Sequence, residues 1–247
     1  MGYEENKIEG RNAVLEAFRS GKTIDKLFVL DGCQDGPIKS ITREARKGDT
    51  IINYVSKERL DQISETGKHQ GVIAISAAYE YAEVEDIFAN AEQKGEAPLI
   101  IILDGIEDPH NLGAIIRTAN QAGAHGIIIP KRRAVGLTPT VARTSAGAIN
   151  YTPVAKVTNI TQTINELKEK GMWFVCADMD GTPMYDLNLT GSIGLVIGNE
   201  GDGVSKLVKE NCDMIATIPM KGDIDSLNAS VATGVLAYEI VRQRLGK

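Results

Sequence analysis

Cysteine is scarce in this chain: Cys33, Cys176 and Cys212 are the only three, widely separated and without CxxC spacing. An odd, scattered set of that kind excludes a disulfide framework and a thiolate zinc site, and the three thiols read as reduced core residues. Histidine is equally sparse, and His69, His110 and His125 show no ligand spacing, so no structural or catalytic metal is expected. Long apolar runs are also missing. Runs such as Leu99 to Leu103 and Ile193 to Ile197 fall far short of the roughly 20 residues needed to cross a bilayer. The amino terminus, with Glu4, Glu5 and Glu9 around Lys7, lacks the basic start and apolar stretch of a secretory signal, which predicts a cytoplasmic location. No GxGxxG occurs, and the Gly-Lys-Thr at 21 to 23 lacks the glycine five residues before Gly21 that a phosphate loop requires. The common Rossmann and Walker sites are thereby excluded.

What is present is the balance of an ordinary folded protein: 247 residues, 43% hydrophobic and 24% charged, enough for one large domain or two small ones. The net charge of −6 works against a nucleic-acid partner, because phosphate binding depends on Lys and Arg releasing counterions. Any such binding must rely on local clusters. Lys131, Arg132 and Arg133, with Arg143 ten residues beyond, form one, although alone it reads as a solvated loop.

Residues 1 to 77 alternate helical and strand patterns. A helix is predicted near Glu9 to Arg19, strands at KLFVL (26 to 30), TIINYV (50 to 55) and VIAIS (72 to 76), and a second helix near Ile38 to Lys47. Residues 78 to 97 are acidic and end before Pro98, which places a linker there and a second domain over 98 to 247. In that domain LIIIL (99 to 103), GIIIP (126 to 130), MWFVCA (172 to 177), IGLVIG (193 to 198) and MIATIP (214 to 219) are continuous apolar runs, the pattern of strands buried on both faces of a parallel sheet. Helical patterns lie between them, over Thr158 to Lys170 and from Asn228 to Leu245, so the fold class is α/β. The last helix carries Val231, Val235, Leu236 and Ile240 at helical spacing, which serves core packing or a subunit interface.

Three strand-to-helix loops occupy the place where open α/β sheets put their ligands. They are DGIEDPHNLGAIIRTANQAG (104 to 123), GNEGDGVS (198 to 205) and IPMKGDIDSLNASVATG (218 to 234). Taken singly, each polar residue has an ordinary structural use. Asn111, Ser226 and Asn228 suit helix starts, Arg117 an exposed helix position, the glycines a tight turn and Glu200 a solvated loop.

Taken together, NLGAIIRTA, VIGNEGDGVS and IPMKGDIDSLNASVATG resemble the three motifs of the SpoU (TrmH-type) branch of the SPOUT methyltransferases, in the right order and across the whole second domain. EGRNAVLEAF (9 to 18) and KHQGVIAI (68 to 75) resemble the small L30e-like RNA-binding domain of its rRNA-modifying members. The likeness is greatest to bacterial members that methylate a guanosine 2′-oxygen of 23S rRNA in the peptidyl-transferase P loop; tRNA methylation, or RNA binding without catalysis, are the alternatives.

The resemblance implies a trefoil-knotted, parallel-sheet methyltransferase domain preceded by the L30e-like domain, working as a homodimer on RNA with S-adenosylmethionine and no metal. It carries donor binding onto Gly198, Ile218 and Leu227, with Asn199, Gly201, Pro219 and Met220 beside them. Catalysis falls to Arg117, supported by Asn111, Glu200, Ser226 and Asn228. The family's usual base is this arginine, but a guanidinium stays protonated in proteins, so Arg117 is read as a phosphate clamp that favours ionisation of the 2′-hydroxyl. RNA contacts are expected from Arg11, Asn12, His69 and Gln70, and from Arg132 and Arg143. The loop Gly222, Asp223, Ile224, Asp225 is more acidic than the family pattern.

Overall fold

The computed structural model describes residues 6–199, 201–223 and 226–246. The chain divides into two units, one reaching to Glu80 and taking in Gly136–Thr140, the other comprising Tyr81–Val135 and the chain from Val141 onward.

In the first unit the elements run β1 (Asn6–Glu9), α1 (Arg11–Arg19), β2 (Ile24–Leu30), α2 (Gly36–Lys47), β3 (Ile51–Val55), α3 (Lys57–Ile63) and β4 (Val72–Ser76). The strands form a mixed sheet in the order β1-β4-β2-β3, parallel only between β2 and β3. Strand alternation sorts the core: Val72 and Ala74 face α1 and α2 beside Val14, Leu27 and Ile38, while Ile73 and Ile75 face Leu60 of α3. Helix α2 begins where Asp35 accepts from the Ile38 amide at 3.1 Å, with a proline in the first turn. Its buried residues Ile38, Ile41, Thr42 and Ala45 follow one helical face, which leaves Lys39, Arg43, Arg46 and Lys47 exposed. Strand β1 and helix α3 lie outside the expected elements, being only 4 and 7 residues long.

Beyond Glu80 the chain adds α4 (Val84–Lys94), β5 (Leu99–Asp104), α5 (Pro109–Gln121), β6 (Gly126–Pro130), α6 (Pro139–Thr144, its first two residues counted with the first unit), β7 (Val154–Val157), α7 (Ile160–Glu169), β8 (Trp173–Pro183), β9 (Ile193–Gly198), α8 (Lys206–Glu210), β10 (Met214–Thr217) and α9 (Ala229–Arg244). The sheet of the second unit has six strands in the order β10-β8-β9-β5-β6-β7, and every pair is parallel. The chain winds outward from β5 through β6 to β7, then crosses back to β8 and inserts β9 beside β5. The direction of winding therefore reverses between β5 and β9, whose ends align with Asp104 opposite Gly198.

Two expectations need correction. Residues 78 to 97 are not a plain linker: they hold α4, whose Ile87 and Ala91 are buried and whose Ile87 packs with Ile100, Ile102 and Ile128. Side-chain room is so tight there that a Cβ on Gly126 would come within 2.5 Å of Ile87. The many carboxylates around Val84, Ile87, Phe88 and Ala91 hide a helical apolar face, and the break between units falls at Glu80. Secondly, of the four apolar residues expected on one stripe of the last helix, Leu236 and Ile240 are buried in the core, whereas Val231 is 50% exposed, and the outward stripe is Val231 and Tyr238 of α9 with Leu245 just past its end. Of the three free cysteines only Cys176 is fully buried. No described helix is long and apolar enough to cross a membrane.

Candidate active site

Three loops leave the carboxyl ends of β5, β9 and β10, on the side of the sheet where the winding reverses. The β5 loop enters α5 through Asp108, whose side chain accepts from the His110 amide at 2.8 Å, with Pro109 in the first turn. Asp108 is thus the cap, and Asn111 is freed from that use. It is buried in the first turn of α5, and its Oδ1 accepts a hydrogen bond from Asn228 Nδ2 at 3.1 Å. Asn228 does cap its helix: its Oδ1 accepts from the Ser230 amide at 2.9 Å and the Ser230 hydroxyl at 2.6 Å.

The β9 loop is a compact turn. Asn199 Oδ1 accepts from the amides of Gly201 and Asp202 at 2.9 and 2.7 Å, and the Gly203 amide returns to the Asn199 carbonyl at 3.2 Å. This brings the Gly203 backbone directly over Gly198, where a Cβ would overlap the Gly203 carbonyl carbon. Asp104, at the end of β5, accepts from the Ser205 amide at 2.8 Å and ties the first loop to the second.

Between the β9 and β10 loops and β8 lies a cleft of about 740 Å³. Its lining includes Gly198, Asn199, Gly201, Ile218, Pro219, Met220 and Leu227, all seven positions expected to hold a methyl donor, and also Ser226. Arg117 is not part of that lining. It stands exposed on α5, six residues beyond Asn111, and its side chain forms no hydrogen bond or ion pair with a described residue. Glu200, Ile224 and Asp225 lie outside the described residues.

Sequence reasoning missed one wall of the cleft, formed by Ala177, Asp178 and Met179 of β8. Asp178 pairs with Lys209 at 2.8 Å. Burial works to raise its carboxyl pKa, but the hydrogen bonds from Lys209 and from backbone amides outweigh that and hold it below the usual carboxylate range. The signal was available, since Asp178 directly follows a buried apolar run, as the other three loops do. Among the described residues no group of His, Cys, Asp and Glu side chains could hold a metal ion.

In the first unit, the residues expected to touch RNA gather around one turn. The Arg11 amide donates to Gln70 Oε1 and its Nε to the Gln70 carbonyl, both at 3.1 Å, while its guanidinium pairs with Asp35 at 2.6 Å. Asn12 and Gln70 are exposed. His69 is buried; its Nε2 meets Asp61 at 2.9 Å and its Nδ1 accepts from the Gly71 amide at 3.0 Å. It holds the turn from within and does not present an edge to solvent. Arg132 and Arg143 are exposed in the second unit.

Comparison with known proteins agrees with this arrangement. Residues 98–238 match the SpoU rRNA Methylase family, and residues 7–82 match the RNA 2′-O ribose methyltransferase substrate binding family. The YacO protein of Bacillus subtilis, assigned by name to the TrmH family of tRNA/rRNA methyltransferases, is 48% identical over 246 residues, spanning 99% of this chain and 98% of its own. The SpoU methyltransferase AviRb from Streptomyces viridochromogenes, solved with AdoMet, superposes with a TM-score of 0.63 at 25% identity, over 98% of this chain and 92% of its own. An AdoMet-bound rRNA methyltransferase from Sinorhizobium meliloti gives a TM-score of 0.61 at 26% identity, over 97% and 87%. The chain belongs to the SpoU rRNA methylase family and is an RNA methyltransferase.

Proposed function

We propose that this enzyme transfers the methyl group of S-adenosylmethionine to a ribose 2′-oxygen, on a guanosine of 23S rRNA in the peptidyl-transferase P loop. The observation that carries the reading is the cleft between β8 and the carboxyl ends of β9 and β10, whose walls include every position expected to hold the donor. The cleft suits that molecule. Its size is that of a small-molecule site, Ile197, Met179 and Leu227 supply apolar walls, and Gly198 lets the backbone approach closely. Asp178, Asp202 and Asp223 place carboxylates where a cationic ligand gains from them. Bound there, S-adenosylmethionine supplies an electrophilic methyl group.

The chain's own residues then have to align and polarise. The Asn111–Asn228 hydrogen bond fixes the start of α5 against the start of α9, and alignment of this kind is worth several orders of magnitude in rate. Arg117, outside the donor cleft and without a described partner, clamps an RNA phosphate; its charge favours the ionised 2′-oxygen, and water or a substrate phosphate takes the proton. Ser226 lines the cleft and orients the ribose, and Glu200 shares that role. Arg11, Asn12 and Gln70, together with Arg132 and Arg143, contact RNA, with His69 supporting the turn that carries Gln70.

An rRNA target is favoured over tRNA because the rRNA methyltransferase from Sinorhizobium meliloti aligns over 97% of the chain, the first unit included. The protein acts as a homodimer, with the exposed Val231 and Tyr238 of α9 and Leu245 just past its end as the apolar surface a two-fold contact requires. Mapping 2′-O-methyl groups on total RNA from a deletion strain tests the assignment. Loss of one methyl group in 23S rRNA is the expected result; loss from a tRNA instead would move the target, and no loss anywhere would overturn it.

A further inference from the structure

The first unit holds a second large cavity, of about 890 Å³, between α2 and the strand β3 that forms one edge of its sheet. Its walls carry Lys39, Arg43, Arg46 and Lys47 along one side and Tyr54 on the other. None of these was singled out by the sequence motifs. Their arrangement follows from two periodicities. The buried stripe of α2 forces its four cations to the opposite, solvent side. On β3, Ile52 packs on the core beneath α1 and α2, so Tyr54, two residues on, projects to the same face and stands 51% exposed beside them.

Four cations line this groove against one carboxylate, Asp31, so positive charge is in excess there. Glu44 is the one carboxylate of α2; it accepts from Lys47 at 3.0 Å and lies 3.6 Å from Arg43. Lys39 and Arg46 form no side-chain hydrogen bond or ion pair with a described residue. In a chain of net charge −6, such a concentration of cations around an exposed aromatic ring needs a use.

We infer that this groove binds a single-stranded segment of the RNA substrate, one base stacked on Tyr54 and the sugar–phosphate backbone running along Lys39, Arg43, Arg46 and Lys47. A cationic track with an aromatic platform is the combination that holds unpaired strands, because every base offers a face for stacking while phosphates are met by charge alone. An acidic protein segment satisfies the cations but leaves the Tyr54 ring without a stacking partner. Only the choice of RNA as the occupant rests on the RNA-methyltransferase reading. The groove widens the RNA surface of the first unit beyond the Arg11 and Gln70 turn, where Arg11 is already committed to Asp35.

Fluorescence anisotropy on the full chain, with labelled oligouridylate about 12 nucleotides long, tests this. Tyr54→Ala should weaken binding by roughly 5- to 100-fold, and Tyr54→Phe should restore it. Arg46→Ala should flatten the slope of log K against log salt by about 0.7, one phosphate's worth for a single strand. Melting temperature and S-adenosylmethionine titration should match the parent for all three variants, showing that the fold and the donor cleft are intact. The inference is overturned if the parent does not bind the oligonucleotide, if Tyr54→Ala and Arg46→Ala bind as the parent does, or if a polyglutamate peptide displaces the RNA at equal charge concentration. Methyl transfer to RNA by the parent is followed in parallel. Transfer with unchanged Tyr54→Ala binding removes the groove and keeps the catalytic reading; a Tyr54→Ala defect without any transfer does the reverse.

Discussion

Asn228 Nδ2 donates to Asn111 Oδ1 at 3.1 Å, joining the first turn of α5 to the cap of α9 across 117 positions of the chain. Two of the five expected catalytic residues are thereby linked directly through their side chains. Because Asn228 is both cap and donor, its two functions separate by substitution. Asn228→Ser keeps a capping oxygen but cannot reach Asn111; Asn228→Ala loses both. Asn228→Ala should cost about 1–2 kcal/mol for the cap and about 1–3 for the abandoned Asn111 oxygen, and Asn228→Ser only the second part. Denaturant unfolding of the two variants reads the difference, and equal losses would mean the cap contributes nothing.

Arg117→Ala should reduce methyl transfer at least about 100-fold while S-adenosylmethionine affinity stays within about threefold, because Arg117 does not line the cleft. Isothermal titration alongside single-turnover transfer separates the two quantities. Parallel loss of both would place Arg117 at the donor instead.

Gly198→Ala puts a methyl group where the Gly203 backbone passes. The β9 loop has to lift, which should cost about 1–3 kcal/mol, lower Tm by several degrees and abolish donor binding. Wild-type donor affinity in this variant would show that the loop is not part of the site.

Glu9 predicts a pH dependence local to the first unit. Burial works to raise its pKa, but hydrogen bonds from Ser64, Thr66 and the Glu65 and Thr66 amides prevail and hold it at about 2 against an ordinary 4.5. A carboxylate depressed in the folded state stabilises fully above its unfolded pKa, and that contribution fades as pH falls from about 4.5 to about 2. After allowance for solvent screening it amounts to about 1–2 kcal/mol. The stability gap between the parent and Glu9→Gln, measured by urea unfolding, should therefore be largest near neutrality and shrink below pH about 4.5. A gap that grows on acidification would reverse the sign and refute the account.

Val231→Asp with Tyr238→Asp should convert a dimer to a monomer without unfolding it, since both side chains are half exposed on one face of α9. Light scattering at micromolar concentration reads the mass. A parent that is already monomeric and active would exclude the homodimer.

The sequence by itself determined the parallel sheet and the three loops, because strands buried on both faces leave continuous apolar runs and their carboxyl ends then mark the ligand side. LIIIL, GIIIP and IGLVIG correspond to β5, β6 and β9 almost residue for residue. Short or mixed elements escaped it: β7 has only four residues, and α4 hides Ile87 among carboxylates. Which asparagine caps a helix and which is released to meet another, whether His69 faces solvent or Asp61, and that Ile240 is interior while Tyr238 is not, were decided only in three dimensions. Each depends on partners brought from elsewhere in the chain. Local propensity acts over a few residues, whereas burial and hydrogen-bond satisfaction are set by elements that meet only when β9 inserts between β5 and β8.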